Sequence, residues 1–481
     1  MIKLFIRNKI FHYIFSRYFI YALQFINTVF LAIFLGPFFL GIWGFIQLII
    51  QYFNQINFGI PHALNNILSI HKKSNKFVTF SFNTGLSLVF LLCVLVVLLF
   101  VIYGLLGYDF GESYKFNKYS NLVCAIIIFN YLNSVFINLF RVYNKLWEIT
   151  FSQAIFPILT LFCLFFYRGE DLLNKLVWAN LLSFLIVFLL FIVRSPIKIY
   201  PIIAKPLIQE LKKKSLLLFL YNSSFYLIII STRSLISSNY SVTQFGLFTF
   251  AFSLASIVLL LLDSFSFLIF PKMINRLAKL NNEDAFKLLH SMRSNYILLA
   301  SGITHFAIFC FPFFVFFFPK YQETISTFSL VAITQLLYAT CFGFPVLLMA
   351  RKKEKQLAFF SFTGLILNVV LGLFLIHILN VDYTLVIFAT SLTYMVYTFF
   401  IVKKGLCELN LKTNIKQLFL MLFPLKLSLP IVISIFLSFS FFSIFQFIFP
   451  LFLFILMNFS EFKKLLVDLK KMISNPDLIN I

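Results

Sequence analysis

A chain of 481 residues that is 61% hydrophobic, 20% aromatic and 11% charged, with a mean hydropathy of +0.97, carries less than half the charge of a soluble domain, which averages about 25%. No core can hide that deficit, because surface-to-volume scaling leaves a large exterior to cover; a soluble enzyme, a disulfide scaffold and a disordered tail are excluded together. The formal charge of +23 would suggest nucleic acid in a soluble protein, but here the 39 Lys and Arg residues sit in short clusters between apolar runs, the pattern that orients a multispanning membrane protein.

Windows of about 20 apolar residues predict spanning helices over 14–35, 40–60, 80–103, 121–140, 149–167, 176–193, 216–238, 245–269, 295–317, 326–349, 357–379 and 384–402. A final pair over 427–442 and 444–458 has no charged separator, so it reads as two short helices or one broken one. The fold class is therefore an all-α integral membrane protein of 12–14 helices. The first run is not a cleavable signal peptide: it lacks a small-residue cleavage site and leads through Gly36-Pro37 into another span. With the N-terminus inside, 33 basic residues fall in inner segments, and five, Lys115, Lys118, Arg168, Lys175 and Lys320, fall outside. That asymmetry puts both termini in the cytoplasm. Arg233 belongs to neither set because it lies inside a helix.

An internal echo divides the chain. Phe39-Leu40-Gly41-Ile42-Trp43-Gly44-Phe45 opens the second helix and Gln244-Phe245-Gly246-Leu247-Phe248-Thr249-Phe250 the eighth, while Pro61 to Asn65 matches Pro271 to Asn275. The expected organisation is a six-helix lobe over 1–200, a second over 201–405, and a hydrophobic pair with a basic tail over 406–481, the parallel-repeat plan of many transporters. Chemistry is absent in informative ways. There is no Gly-Lys pair for a P-loop, no H-E-x-x-H and no Cys/His pair at metal spacing, so no cofactor and no enzyme activity are expected. His305 and His377 lie within spans, where helix–helix hydrogen bonding is the simpler role.

Polar side chains inside the spans are costly unless they face protein or water, and they concentrate on single helix faces. The first helix carries Arg17, Gln24 and Asn27, the second Gln47, Gln51, Asn54 and Gln55, and the fourth Asn130, Ser134 and Asn138 with Arg141. The seventh adds Asn222, Tyr226 and Arg233, and the eighth Ser253, Ser256 and Asp263. The second-helix amides exceed what one partner helix satisfies and are expected to line a cavity, whereas the fourth-helix amides are expected to act as packing bonds. For Arg233 the competing role is snorkelling to the outer interface, and its depth makes a direct Arg233–Asp263 pair unexpected.

The run Leu35-Gly36-Pro37-Phe38-Phe39-Leu40-Gly41-Ile42-Trp43-Gly44 resembles the polysaccharide-repeat flippases of the MOP exporter superfamily, with Gly59-Ile60-Pro61, Phe245-Gly246-Leu247-Phe248 and Ile269-Phe270-Pro271 agreeing. The resemblance implies a V-shaped, MATE-like bundle of two six-helix lobes around a polar cavity in the bacterial inner membrane. It implies translocation of an undecaprenyl-pyrophosphate-linked oligosaccharide for O-antigen or capsule biosynthesis. It implies a polysaccharide polymerase and chain-length machinery as partners, and no nucleic acid. Arg17, Gln24, Asn27, Gln47, Gln51, Asn54, Gln55, Arg233 and Asp263 are the substrate-binding candidates. Acidic residues near the cavity are scarce, a departure that leaves the coupling ion open. The rivals are a multidrug exporter of the same fold and a membrane polymerase or ligase.

Overall fold

The computed structural model describes residues 9–71, 74–107, 110–411, 414–439 and 443–474, and these are helices joined by turns and short irregular segments, with no strand among them. Two compact units divide the chain, 1–249 and 250–481. The first holds α1 (Lys9–Gln55), α2 (Ile60–Ile70), α3 (Asn75–Leu106), α4 (Phe116–Val142), α5 (Leu146–Phe166), α6 (Gly169–Val193), α7 (Lys205–Asn239) and the start of α8 (Val242–Lys279).

At 1.5 Å per residue the 47 residues of α1 would run about 70 Å, more than twice a bilayer core of about 30 Å. The helix is broken once, at Gly36 (φ 70°, ψ 169°), a backbone conformation open to glycine, followed by Pro37, which has no N–H to lose. Residues 9–35 and 37–55 are thus two spans, as the sequence predicts. The second ends at Gln55, five residues earlier than expected. Asn57 explains the stop: its Nδ2 donates to Asn54 O and its Oδ1 accepts from Gly59 N, closing a turn in which Phe58 and Gly59 are left-handed. Pro61 then sits in the first turn of the separate helix α2.

Between α6 and α7 the chain runs extended along α3. Asn83 Nδ2 donates to Lys198 O and its Oδ1 accepts from Tyr200 N, and Ser87, one turn on, accepts from Ile202 N. Alternate residues of the extended segment thus find partners on one helix face. Two helix side chains replace a neighbouring strand.

The sequence puts α7 in the second half, from residue 201. By packing, α7 and the first turns of α8 belong to the first unit, because α7 lies on α1 and α2.

The second unit continues through α9 (Asn282–Phe316), α10 (Thr324–Ala339), α11 (Phe344–Ala350), α12 (Glu354–His377), α13 (Ile387–Glu408), α14 (Ile415–Leu422), α15 (Leu425–Ser438), α16 (Ile448–Met457) and α17 (Phe459–Ser474). Eight helices among the described residues are long and apolar enough to cross a membrane, or nine if the α14–α15 pair, bent by 67°, is one broken span. One of the eight is the double span of α1. The final pair resolves into two short helices, α15 of 14 residues and α16 of 10, about 21 and 15 Å long. Pro430 has no N–H for Lys426 O; Asn458 Nδ2 donates to that carbonyl instead, tying the start of α15 to the end of α16.

Lateral exposure separates two kinds of helix. In α3 only 22% of the most apolar window is buried, and its exposed face carries Phe90, Leu91, Val94, Leu95 and Leu98, a surface matched to lipid. α10 and α11 are instead buried over most of their length.

Candidate functional site: polar stripes on enclosed helices

Gln47, Gln51, Asn54 and Gln55 are all half-exposed, as are Tyr52 and Phe53 between them. Gln51 Oε1 accepts from Arg233 Nη1 at 2.9 Å, and Asn54 Oδ1 accepts from Asn130 Nδ2 at 2.5 Å. Gln47 Nε2 is buried with no hydrogen-bond partner among the described residues, and the backbone carbonyl of Gln55 accepts from Ser223 Oγ. On the first arm of α1, Arg17 and Gln24 are half-exposed, with the Arg17 guanidinium 5.5 Å from the Tyr21 ring. Asn27 is buried and donates to Pro157 O at 2.8 Å, so it binds α1 to α5. The side chain of Asp263, in α8, lies outside the described residues.

Arg233 is 3% exposed. Besides Gln51, its Nη2 donates to Gly44 O at 3.5 Å, and its guanidinium lies 5.9 Å from the Phe245 ring. One residue on, Ser234 Oγ shares a 2.6 Å hydrogen bond with Tyr52 OH. A snorkelling arginine holds its head among lipid headgroups. This one is enclosed, its charge met by an amide and a carbonyl oxygen.

The two echoed segments touch each other. A Cβ placed on Gly41 would overlap Val242 O, and one on Gly246 would overlap Pro37 O. Gly44 faces Thr249, whose Oγ1 would lie 2.7 Å from an added Cβ. Each pair of equivalent residues, 41 and 246, 37 and 242, 44 and 249, is separated by 205 positions, the offset of the sequence echo itself. The contact is therefore reciprocal, each glycine admitting the carbonyl four residues before its counterpart. Only a residue without Cβ permits that approach.

Two helices are closed in except along narrow stripes. In 131–142 of α4 the residues that are not buried are Ser134, Ile137 and Arg141, one turn apart, with half-exposed Asn130 continuing the line. Asn138 is turned inward and donates to Pro61 O at 2.8 Å, which makes it a packing bond to α2. In 327–348, spanning α10 and α11, the residues that are not buried are Gln335, Tyr338 and Phe342, again one turn apart. Gln335 Nε2 donates to Ser256 Oγ of α8 at 3.0 Å. Asn130 and Gln335 are also 205 positions apart, as are Ile137 and Phe342.

Three buried groups were not singled out by sequence as site residues. Arg293, counted among inner-loop charges, is 4% exposed; its Nε donates to Thr340 O at 2.6 Å and its Nη2 to Met421 O at 2.9 Å. Those carbonyls end α10 and α14, where the helix leaves acceptors unmatched and favours a cation. Glu148 is buried in the first turn of α5, 3.8 Å from Arg194. His305 is buried, with Nδ1 2.8 Å from Ser301 O of its own helix and its ring stacked on Phe454 of α16 at 5.0 Å, so its contact between helices is a ring stack. Spacing alone could have flagged Arg293, which lies 11 residues inside α9. At the tail, hydrogen bonds from Lys426 Nζ and then Ser460 hold the Glu461 carboxyl down at about 2. Among the described residues no three His, Cys, Asp or Glu side chains gather as metal ligands.

No family model and no curated protein matches the sequence. Solved structures do match the fold. An inward-facing multidrug resistance MATE family transporter of the MOP superfamily has a TM-score of 0.67 at 12% identity, covering 81% of this chain and 94% of that one. The lipid II flippase MurJ, in an inward closed conformation, has a TM-score of 0.65 at 16% identity, covering 97% and 99%. An outward-facing MATE transporter of the same superfamily scores 0.62 at 13% identity, covering 84% and 94%. The chain is a multi-pass membrane protein with the fold shared by MATE transporters and the lipid II flippase.

Proposed function

We propose that this protein is a flippase that moves an undecaprenyl-pyrophosphate-linked oligosaccharide from the inner to the outer leaflet of a bacterial inner membrane. The observation that carries the reading is the row of half-exposed amides, Gln47, Gln51, Asn54 and Gln55, at membrane depth. Each sugar hydroxyl left without a partner in hydrocarbon costs roughly 2–7 kcal/mol, so a dozen would raise a barrier of tens of kcal/mol. Amides that both donate and accept remove that barrier, while the polyprenyl tail stays in lipid. Arg233, held by Gln51, is the cation that the pyrophosphate would draw away, and Arg17 and Gln24 extend the polar line on the first arm of α1. The fold match supports a lipid-linked substrate through its extent: the lipid II flippase matches 97% of the chain and the two MATE transporters 81% and 84%.

A multidrug exporter is the second reading, favoured by the TM-score of 0.67 against 0.65. Deletion of the gene separates the two. A flippase loss leaves lipid-linked oligosaccharide on the cytoplasmic leaflet and strips the cell of surface polysaccharide. Unchanged polysaccharide with raised sensitivity to cationic drugs would sink the flippase reading.

A further inference from the structure

Among the described residues, α10 with α11 is the most enclosed of the membrane-length helical stretches, and what it leaves open is chemically unlike a lipid-facing surface. Along 90–102 of α3 the exposed positions are Phe, Leu, Val and Ile; along 327–348 the positions not buried are Gln335, Tyr338 and Phe342. Gln335 lies 11 residues from the outer end of α10, about 17 Å into the membrane, and its partner Ser256 lies 14 residues into α8, about 21 Å. A half-exposed amide–hydroxyl pair at that depth cannot be left in hydrocarbon and has to meet protein or a polar solute.

Tyr338, one turn further in, is backed by buried rings, with centroids 5.6 Å from Tyr394 and 6.4 Å from Tyr397. Another turn on, Phe342 stacks on Tyr296 at 3.9 Å and 10°. The stripe therefore reads amide, then aromatic, then aromatic, with the central Tyr338 held by buried neighbours and the outer two by half-exposed ones. A pyranose has this mixed character, with an apolar face of C–H groups suited to an aromatic ring and a rim of hydroxyls suited to an amide. An anion would want a cation here, and the three positions supply none.

We propose that Gln335, Tyr338 and Phe342 form a carbohydrate platform, on which Tyr338 stacks against one sugar ring and the Gln335–Ser256 pair takes its hydroxyls. The proposal rests on the flippase reading and adds to it a binding site within the second unit, specific to sugar. Its test is binding in nanodiscs of two probes, undecaprenyl pyrophosphate and the same lipid carrying a labelled tetrasaccharide. Wild type should bind the sugar-bearing lipid more tightly. Tyr338→Leu should weaken that binding about tenfold and leave the sugar-free lipid within about twofold, while Tyr338→Phe should behave as wild type. Equal weakening for both lipids would mean that the leucine disturbs packing, and no weakening would mean that the ring touches no sugar; either overturns the platform. Equal wild-type affinity for the two lipids also overturns it and leaves the flippase reading standing. A wild type that binds neither lipid overturns the flippase reading and the platform with it.

Discussion

The fourth spanning helix of the first unit and its counterpart in the second solve one problem with different side chains. Residues 131–142 of α4 and 327–348 over α10 and α11 are each buried except along a single line of residues one turn apart. Each line begins with an amide that donates to a polar side chain on another helix, Asn130 to Asn54 and Gln335 to Ser256. From there they diverge. The α4 line continues through Ser134 and Ile137 to Arg141, and the α10 line through Tyr338 to Phe342. The shared part is the opening amide and its bond to another helix, and the divergent part is the character of the residues that follow.

The largest effect should follow from breaking the contact that relates the repeats. Gly41 and Gly246 each admit a carbonyl of the other segment, so valine at either position forces the backbones apart. We expect Gly41→Val and Gly246→Val to abolish export and to lower stability by about 1–3 kcal/mol or more, by similar amounts because the contact is reciprocal. Thermal unfolding in detergent, with a surface-polysaccharide blot, measures both. A neutral Gly246→Val beside a damaging Gly41→Val would show that the two segments are not equivalent.

Next in size is the charge. Arg233→Gln should cut export tenfold or more with normal membrane insertion, because the amide still hydrogen-bonds to Gln51 but carries no charge. Arg233→Lys keeps the charge without the fork that reaches both Gln51 and Gly44, and should retain part of the activity. Wild-type export by the Gln variant would leave Arg233 a packing residue only.

How much of this the sequence disclosed depends on whether the signal was local. Span positions follow from apolar windows, and the reciprocal glycines could be found as an echo, because both are written in adjacent residues. The break at Phe58-Gly59 was not legible, since it needed Asn57 to close a turn on both sides. The stripe on α10 was invisible because a helix buried on nearly all sides shows no apolar–polar periodicity; which face stays open is decided by its neighbours. Asn138 was read on the same stripe as Ser134, and the carbonyl of Pro61 turned it inward. The assignment of α7 by packing rests on contacts 189 and 123 residues apart, Arg233 with Gly44 and Tyr114 OH with Ser237 O.

A smaller effect separates lining from packing. Gln51→Leu with Asn54→Leu should lower export several-fold while the protein level holds, since both residues are half-exposed. Asn138→Leu leaves Pro61 O without its donor in a buried site and should lower stability by about 1–3 kcal/mol, with export per molecule unchanged. Quantitative immunoblots of the membrane fraction beside polysaccharide yield distinguish them. The opposite pattern would exchange the roles of the two helices.

The smallest effect lies at the tail, in a pair that neither repeat contains. Lys426 Nζ lies 2.6 Å from Glu461 Oε1, and this bond, followed by that from Ser460, lowers the carboxyl from its ordinary 4.5 to about 2. A depressed carboxylate stabilises the folded state above its ordinary value, and that contribution fades as pH falls from about 4.5 through about 2. At neutral pH it is fully present. Both side chains are more than a third exposed, so screening by water and salt limits it to about 0.5 kcal/mol or less. Glu461→Gln should therefore shift thermal unfolding at pH 7 only slightly, and the wild-type advantage should shrink as the pH is lowered below about 4. A shift as large as that of Asn138→Leu would show that the tail helix, rather than the repeats, fixes the position of α15.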